Sequence, residues 1–137
     1  MIVDTDVIVA AIRSSTGASA EIVRQILKRE RALELSVALA LEYEAVATRD
    51  EHVSASDGDI GDVLNTIDAM IAVATLIDVH FRWRPQLRDP DDEMVLEAAI
   101  NAEDRTIVTF NVRDFAGAAE RFKIRVLTPR QFLEAAK

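Results

Sequence analysis

The first ten residues constrain the fold more than any other stretch of the chain. Ile2 and Val3 are apolar, Asp4 and Asp6 flank a threonine, and apolar residues resume at Val7. A buried strand that ends in carboxylates is a common start for the site of an α/β protein, because ligands of open parallel sheets bind beyond the carboxyl ends of the strands. Asp4 could also be a helix cap, since Asp is frequent just before a helix. The acids further along the chain bear on this choice.

Strand and helix patterns alternate along the rest of the chain. The pattern predicts strands at 2–4, 33–37, 79–83, 106–109 and 124–127, and helices at 5–12, 20–31, 38–48, 60–76, 92–102 and from Thr128-Pro129 onwards. Segment 49–61 is polar and rich in Asp, which indicates a loop or the approach to a helix, and 111–115 is expected to be a turn or short helix. Alternation of this kind predicts one α/β domain over residues 1–137, with a parallel sheet covered by helices on both faces.

The composition narrows the possible chemistry. The chain has 137 residues and no cysteine, which excludes disulfides and thiolate metal sites. Its longest nearly apolar run, 67–79, contains two Asp residues and is too short to span a bilayer, and the N-terminus has no signal-peptide pattern. We therefore expect a cytoplasmic protein without a membrane partner. The net charge of −8 argues against a nucleic-acid partner unless the acids gather around a cation.

Acidic residues follow four of the predicted strands. Because the carboxyl ends of parallel strands meet at one edge of a sheet, these side chains can approach one another. Bare carboxylates there would repel, and a divalent cation relieves the repulsion. Hard oxygen ligands without a paired His or Cys favour Mg²⁺ or Mn²⁺ over zinc, and such a site suits phosphodiester hydrolysis. The acids concerned are Asp4, Glu42, Asp92 and Asp114, with Asn111 near the last of them.

Four short segments carry a resemblance to a known family. They are Val3-Asp-Thr-Asp-Val7, Leu41-Glu-Tyr-Glu44, Asp89-Pro-Asp-Asp-Glu-Met-Val-Leu-Glu97 and Thr109-Phe-Asn-Val-Arg-Asp-Phe115. In this order and spacing the chain resembles the PIN-domain ribonucleases, and more closely the VapC-like toxins of bacterial toxin–antitoxin pairs. The resemblance implies a three-layer α/β/α sandwich around a central parallel sheet and metal-dependent endoribonuclease activity on RNA. It also implies a cognate antitoxin protein and a homodimer.

The resemblance implies roles for individual residues as well. Asp4, Glu42, Asp92 and Asp114 would be the catalytic acids that hold Mg²⁺ or Mn²⁺, and Asn111 falls where family members carry an acid or Asn. The family more often has Asn where this chain has Asp6, so that an extra acid here either changes metal affinity or caps the first helix. Supporting hydrogen bonds to metal ligands are expected from Thr5 and Thr109, whose alternative roles are capping and turn formation.

Several other residues compete for a place in the site. Glu44 is two residues from Glu42 and should face away from it, because helix side chains two apart point in different directions. Asp89 and Asp91 are expected to be turn and cap residues, and Glu93 and Glu97 to form a solvated helix face. His52 and His80 fall in none of the four segments and are expected to have no catalytic role. The candidates for RNA backbone binding are Arg82, Arg84 and Arg88 around Trp83, together with Arg113, unless these arginines serve in salt bridges.

Two rival functions remain open at this point. One is a phosphatase like the haloacid dehalogenases, with Asp4 as nucleophile and Asp6 as acid. Those enzymes usually continue with Gly-Thr where this chain has Val7 and Ile8, and no lysine lies beside a matching later strand. The other rival is a catalytically inactive PIN scaffold that binds a protein partner, which the full set of acids makes less favourable.

Overall fold

Five short strands form two neighbouring parallel sheets, one of three strands and one of two. The computed structural model describes residues 1–79, 87 and 89–135. Within them, the strands are β1 (Ile2–Val3), β2 (Glu34–Leu35), β3 (Thr75–Leu76), β4 (Thr106–Val108) and β5 (Arg125–Leu127). β1 pairs with β4 and β4 with β5, while β2 pairs with β3, and all three pairings are parallel. The backbone N–H of Glu34 donates to the carbonyl of Met1 over 2.9 Å. This bond links the two-stranded sheet to the three-stranded sheet at β1, and across both sheets the strands lie in the order β3-β2-β1-β4-β5.

Helices connect these strands and make up most of the chain. The described residues form α1 (Thr5–Arg13), α2 (Ala18–Leu27), α3 (Val37–Ala47), α4 (Asp50–Ala55), α5 (Ile60–Val73), α6 (Pro90–Asn101), α7 (Val112–Phe122) and α8 (Pro129–Ala135). α6 contacts β1 and β4, α7 and α8 contact β5, and α1 packs on α2 and α3. The predicted α/β sandwich with a parallel sheet is therefore confirmed.

The centre of the sheet is entirely apolar and buried. Ile2, Val3, Ile107 and Val108 are fully shielded from solvent, as expected for β-branched residues of strands that have neighbours on both sides and on both faces. The chain runs from β1 outward to β2 and β3, then returns to build β4 and β5 on the other side. The direction of strand order therefore reverses between β1 and β4, which is where open α/β sheets leave a crevice for ligands.

The third strand lies earlier in the chain than the sequence pattern predicts. Residues 80–83 of the predicted strand 79–83 lie outside the described residues, and Val79 belongs to no strand. Instead the helix predicted to continue to Leu76 ends at Val73, and Thr75–Leu76 pair with β2. Both residues of β3 are exposed, so no burial pattern distinguishes this strand from the end of an apolar helix.

Two other segments are more ordered than predicted. The polar stretch 49–61 contains α4, and the predicted short turn at 111–115 is the beginning of the eleven-residue helix α7. The second strand is shorter than predicted, because Ser36 accepts a hydrogen bond from the N–H of Leu39 and so begins α3. Glu34, the first residue of this strand, does not point to solvent. Its carboxylate is buried and accepts hydrogen bonds from the N–H groups of Glu103 and Asp104, at 3.0 and 3.1 Å.

Ile67 and Ile60 of α5 provide a test of where the core lies. Ile67 is fully buried and Ile60 is 52% exposed. We expect Ile67→Ala to lower the free energy of unfolding by about 2–5 kcal/mol, because it leaves a cavity in the core. Ile60→Ala, the matched control, should change it by about 0.5 kcal/mol or less. Urea unfolding of the whole chain measures both values, and equal effects would contradict the packing described here.

Candidate active site

One cleft gathers acidic side chains from three parts of the chain. It has a volume of about 360 Å³ and lies at the carboxyl end of β1. Its walls come from the start of α1, the middle of α3, the region of α4, the first turn of α6 and the loop after β4. We call it the acidic cleft, and its polar lining consists of Asp4, Thr5, Asp6, Glu42, Arg49, His52, Asp91, Asp92 and Asn111.

Asp4 faces β4 rather than its own helix. It occupies the N-cap position of α1, but its side chain makes no capping hydrogen bond. Its Oδ2 instead accepts a hydrogen bond of 2.7 Å from the hydroxyl of Thr109, the residue that follows β4. The side chain is 7% exposed. Asp4 therefore begins α1 without capping it through its side chain, and the expected hydrogen bond from Thr109 to a site acid is present.

Asp6 fastens the loop after β4 to α1. Its Oδ2 accepts hydrogen bonds from the backbone N–H of Phe110 and from the side-chain amide of Asn111, both at 3.1 Å. The N–H of Asn111 in turn donates to the Thr109 hydroxyl over 3.0 Å. Oδ1 of Asp6 is buried and has no hydrogen-bond partner among the described residues. Asp6 is thus a bridge between two elements and not a cap of the first helix.

Glu42 reaches the acidic cleft from α3. It is half-buried, and burial is the main cause that raises the pKa of its carboxyl, with a further increase from the charge of Asp91. Glu44 is exposed and does not line the cleft, as its spacing predicts. Between them, Tyr43 is fully buried and its hydroxyl donates a hydrogen bond to the carbonyl of Val3. This bond holds α3 against the residue that precedes Asp4, and so fixes Glu42 relative to Asp4.

α6 contributes its first turn to the site. Asp89 caps this helix, since its carboxylate accepts a hydrogen bond of 2.9 Å from the N–H of Asp91. Asp92 lines the acidic cleft and also a second cleft of about 620 Å³ on its other side. Asp114 and Arg113, at the start of α7, line this second cleft and not the first. The structure therefore places the four predicted acids in two adjoining clefts that share Asp92.

Burial and mutual repulsion raise the pKa values of the central acids. Burial is the largest cause for Asp4, followed by the charge of Asp6, and the pKa of its carboxyl rises to about 6. The pKa of Asp92 also rises to about 6, again through burial first and then through the charges of Asp4, Asp89 and Asp114. The carboxylates are close enough that each disfavours the ionised form of the others. A bound cation would reduce this repulsion.

Some predictions about nearby residues are corrected by the structure. Asp91, expected to be only a turn or cap residue, lines the acidic cleft. Glu93 and Glu97, expected on a solvated face, are buried, and Glu93 accepts a hydrogen bond of 2.6 Å from the N–H of Leu87. The spacing of Glu93 and Glu97 places them on one face of α6, but the sequence does not show whether this face points to solvent or to the protein interior. His80, Arg82, Trp83, Arg84 and Arg88 lie outside the described residues.

Sequence reasoning missed two residues of the acidic cleft, Arg49 and His52. They lie at the start of the segment predicted as a loop, and α4 turns them toward the cleft. Neither residue belongs to one of the four recognised segments. Their proximity to the acids depends on the packing of α4 against α1, which no local pattern reveals.

The donor chemistry of the cleft fits a hard divalent cation. Its ligands would be carboxylate oxygens, and the unpartnered Oδ1 of Asp6 is a buried oxygen that a cation could satisfy. Within the described ranges, no three His, Asp or Glu side chains form a group that could hold a metal ion as they stand. The carboxylates would therefore have to move closer together to share one ion.

Comparison with known proteins identifies the family. Residues 1–113 match the PIN domain, and this match covers most of the chain. The chain therefore belongs to the PIN domain family, whose members are typically metal-dependent nucleases. The matched stretch includes Asp4, Glu42 and Asp92 and ends one residue before Asp114. No curated protein matches the chain significantly. In the part of the chain that the structure describes, no helix has the length and apolar character needed to cross a membrane.

The raised pKa values of Asp4 and Asp92 predict a pH-dependent loss of stability in the metal-free protein. Each carboxyl has a pKa of about 6 in the fold, against about 3.9 in an unfolded chain. Between these values the folded state binds more protons than the unfolded state, so the two acids make the free energy of unfolding fall as the pH rises from about 4 to about 7.

Urea unfolding in EDTA across this pH range measures the effect. The double variant Asp4→Asn/Asp92→Asn should lose less stability than the wild type over the same interval. Asp68→Asn, a control at an exposed position of α5, should leave the pH profile unchanged. A double variant with the wild-type profile would contradict the assigned environments of the two acids.

Proposed function

We propose that this protein is a metal-dependent endoribonuclease that hydrolyses RNA phosphodiester bonds in the acidic cleft. The observation that carries the proposal is the convergence of Asp4, Glu42 and Asp92 at the point where the strand order reverses. Their placement agrees with the nuclease activity that is typical of the PIN domain family. Mg²⁺ or Mn²⁺ is the proposed cofactor, because the donors are hard carboxylate oxygens.

The residues that would hold the ion are Asp4, Glu42, Asp92 and, from the adjoining cleft, Asp114. The bound ion would lower the pKa of a water molecule and polarise the phosphoryl oxygen. The remaining side chains position these ligands. Thr109 orients the Asp4 carboxylate through its hydroxyl, and Asn111 orients Asp6 through its amide.

The two rival functions find less support. A phosphatase of the haloacid dehalogenase type needs a lysine near its nucleophile, and neither Lys28 nor Lys123, the lysines within the described residues, lines either cleft. An inactive scaffold would not need several carboxylates in one cleft, where burial and then the charges of neighbouring acids raise the pKa values of Asp4 and Asp92. Titration with Mn²⁺ tests the scaffold alternative, because a scaffold would show little stabilisation by the metal.

We further propose that the protein is the toxin of a type II toxin–antitoxin pair, similar to VapC toxins. This role rests on the four sequence segments that carry the resemblance. With it come a cytoplasmic location, a cognate antitoxin protein and a homodimer. Val37 and Leu41 lie one turn apart on α3 and are 64% and 61% exposed. They are candidates for a protein-contact surface, because exposed apolar side chains that lie together favour a partner.

Single acidic residues of the cleft should be essential for cleavage. We expect Asp92→Asn and Glu42→Gln each to reduce metal-dependent RNA cleavage by at least about 100-fold, since each removes a ligand charge without changing the side-chain shape. Glu44→Gln is the matched control two residues from Glu42 and should retain wild-type activity. Gel analysis of a single-stranded RNA incubated with Mg²⁺ or Mn²⁺ measures the rates.

The metal requirement can be tested in the same assay. Cleavage that proceeds equally well in EDTA, or an Asp92→Asn protein with full activity, would overturn the proposed mechanism. Thermal unfolding of each variant shows whether lost activity reflects lost folding. Sequencing the cut ends would then identify the preferred target.

The toxin role predicts a phenotype that depends on the same carboxylates. Induced expression of the wild-type protein in a bacterial host should arrest growth, whereas the Asp92→Asn variant at equal protein level should not. Coexpression of the protein encoded by the adjacent gene should restore growth if that protein is the antitoxin. Active nuclease that leaves growth unaffected would refute the toxin role and leave the enzymatic proposal intact.

A further inference from the structure

Arg49 and His52 bring a positive charge and a nitrogen donor to a cleft that is otherwise dominated by carboxylates. Both residues line the acidic cleft together with Asp4, Glu42 and Asp92. A guanidinium has no lone pair to offer a metal ion, and within the described residues His52 belongs to no group of three side chains that could hold one. Their presence beside these acids therefore calls for a different partner.

Arg49 supplies the positive charge of this pair of residues. It is exposed, and it lines the acidic cleft together with Glu42. It nevertheless forms no ion pair with any carboxylate of the described residues. Other surface arginines do, as Arg24 does with Glu21 and Arg130 with Glu134. The Arg49 guanidinium is thus available to an anion that enters the cleft.

His52 presents a fixed hydrogen-bond donor. The Arg13 Nη1 lies 3.0 Å from Nδ1 of His52, and a guanidinium can only donate. Nδ1 is therefore the acceptor, and the proton of the neutral ring is on Nε2. The closest described carboxylate oxygen, Oε1 of Glu51, is 3.7 Å from Nε2, which is too far for a hydrogen bond. His52 lines the acidic cleft, and its Nε2–H has no hydrogen-bond partner among the described residues.

We propose that Arg49 and His52 form a phosphate-binding subsite that holds the RNA phosphate next to the one that is cleaved. This inference rests on the proposed ribonuclease function and names how the substrate is held. A guanidinium paired with a neutral N–H donor recognises a phosphate oxygen well. Such a contact is needed here, because the carboxylates of the cleft repel a polyanion. Arg113 lines the second cleft, beyond Asp92. A strand held by Arg49 and Arg113 would pass over Asp92.

The salt dependence of RNA binding tests this subsite. The whole chain with Asp92→Asn, which prevents cleavage, is titrated with a fluorescent single-stranded RNA in Mg²⁺ at several KCl concentrations. Loss of one phosphate contact should reduce the slope of log affinity against log salt by about 0.7. We expect this change in Arg49→Gln, with affinity reduced up to about fivefold at low salt. Arg49→Lys should keep the slope, and Arg130→Gln, an exposed control on α8, should keep both slope and affinity.

His52 should affect binding in a different way. Because its donor is neutral, His52→Leu should weaken RNA binding without changing the salt slope. Thermal unfolding of each variant excludes a loss of folding as the cause. Affinity and slope equal to those of the parent protein in Arg49→Gln would overturn the subsite, and so would a parent protein that binds no RNA.

The outcomes for the subsite and for the proposed function are separable. A wild-type protein that binds RNA through Arg49 but does not cleave it with Mg²⁺ or Mn²⁺ would overturn the proposed function and leave the subsite in place. Normal cleavage together with an Arg49→Gln variant that binds as the parent does would overturn the subsite alone. Cleavage of the RNA by the Asp92→Asn protein would count against the proposed function. The subsite would then be tested by measuring the slope of log affinity against log salt in EDTA.

Discussion

The parallel pairing of β1 with β4 is the interaction on which the acidic cleft depends. The two strands are only two and three residues long, yet all their residues are buried. The ladder continues beyond β1, where the N–H of Asp4 donates to the carbonyl of Val108 over 2.9 Å. The Thr109 hydroxyl then bonds to the Asp4 carboxylate. Residues separated by about a hundred positions in sequence are thereby held at hydrogen-bonding distance, and every other wall of the cleft packs around them.

The apolar core stabilises the fold, whereas the acidic cleft destabilises it. The core between sheet and helices is apolar and close-packed, and it provides the favourable free energy of folding. The cleft opposes folding, because its carboxylates are partly buried beside like charges. Such local destabilisation is typical of sites whose geometry is selected for a ligand and not for stability. The Arg49 charge offsets this repulsion only in part, since it acts on the Glu42 side of the cleft.

Sequence patterns predicted the parts of the site that follow directly from chain topology. Asp4 directly follows β1 and Asp92 lies in the first turn of α6, so chain topology brings both to the same edge of the sheet. Glu42 lies in the middle of α3, and its place also depends on the packing of Tyr43. Arg49, His52 and Asp91 were missed, because their places depend on how α4 and α6 are oriented. Burial of Glu93 and Glu97 was missed for the same reason. β3 was misplaced because it is exposed and follows an apolar helix without a break in pattern.

The two oxygens of Asp6 have separate tasks, and this division has a consequence for how the site can vary. Oδ2 accepts the hydrogen bonds from the loop after β4, while Oδ1 has no hydrogen-bond partner among the described residues. An asparagine could keep the accepting oxygen and put its amide nitrogen in the place of Oδ1. The charge at this position can therefore change while the shape of the loop is preserved. Related chains could adjust the electrostatic potential of the cleft at this one position without rebuilding the architecture around it.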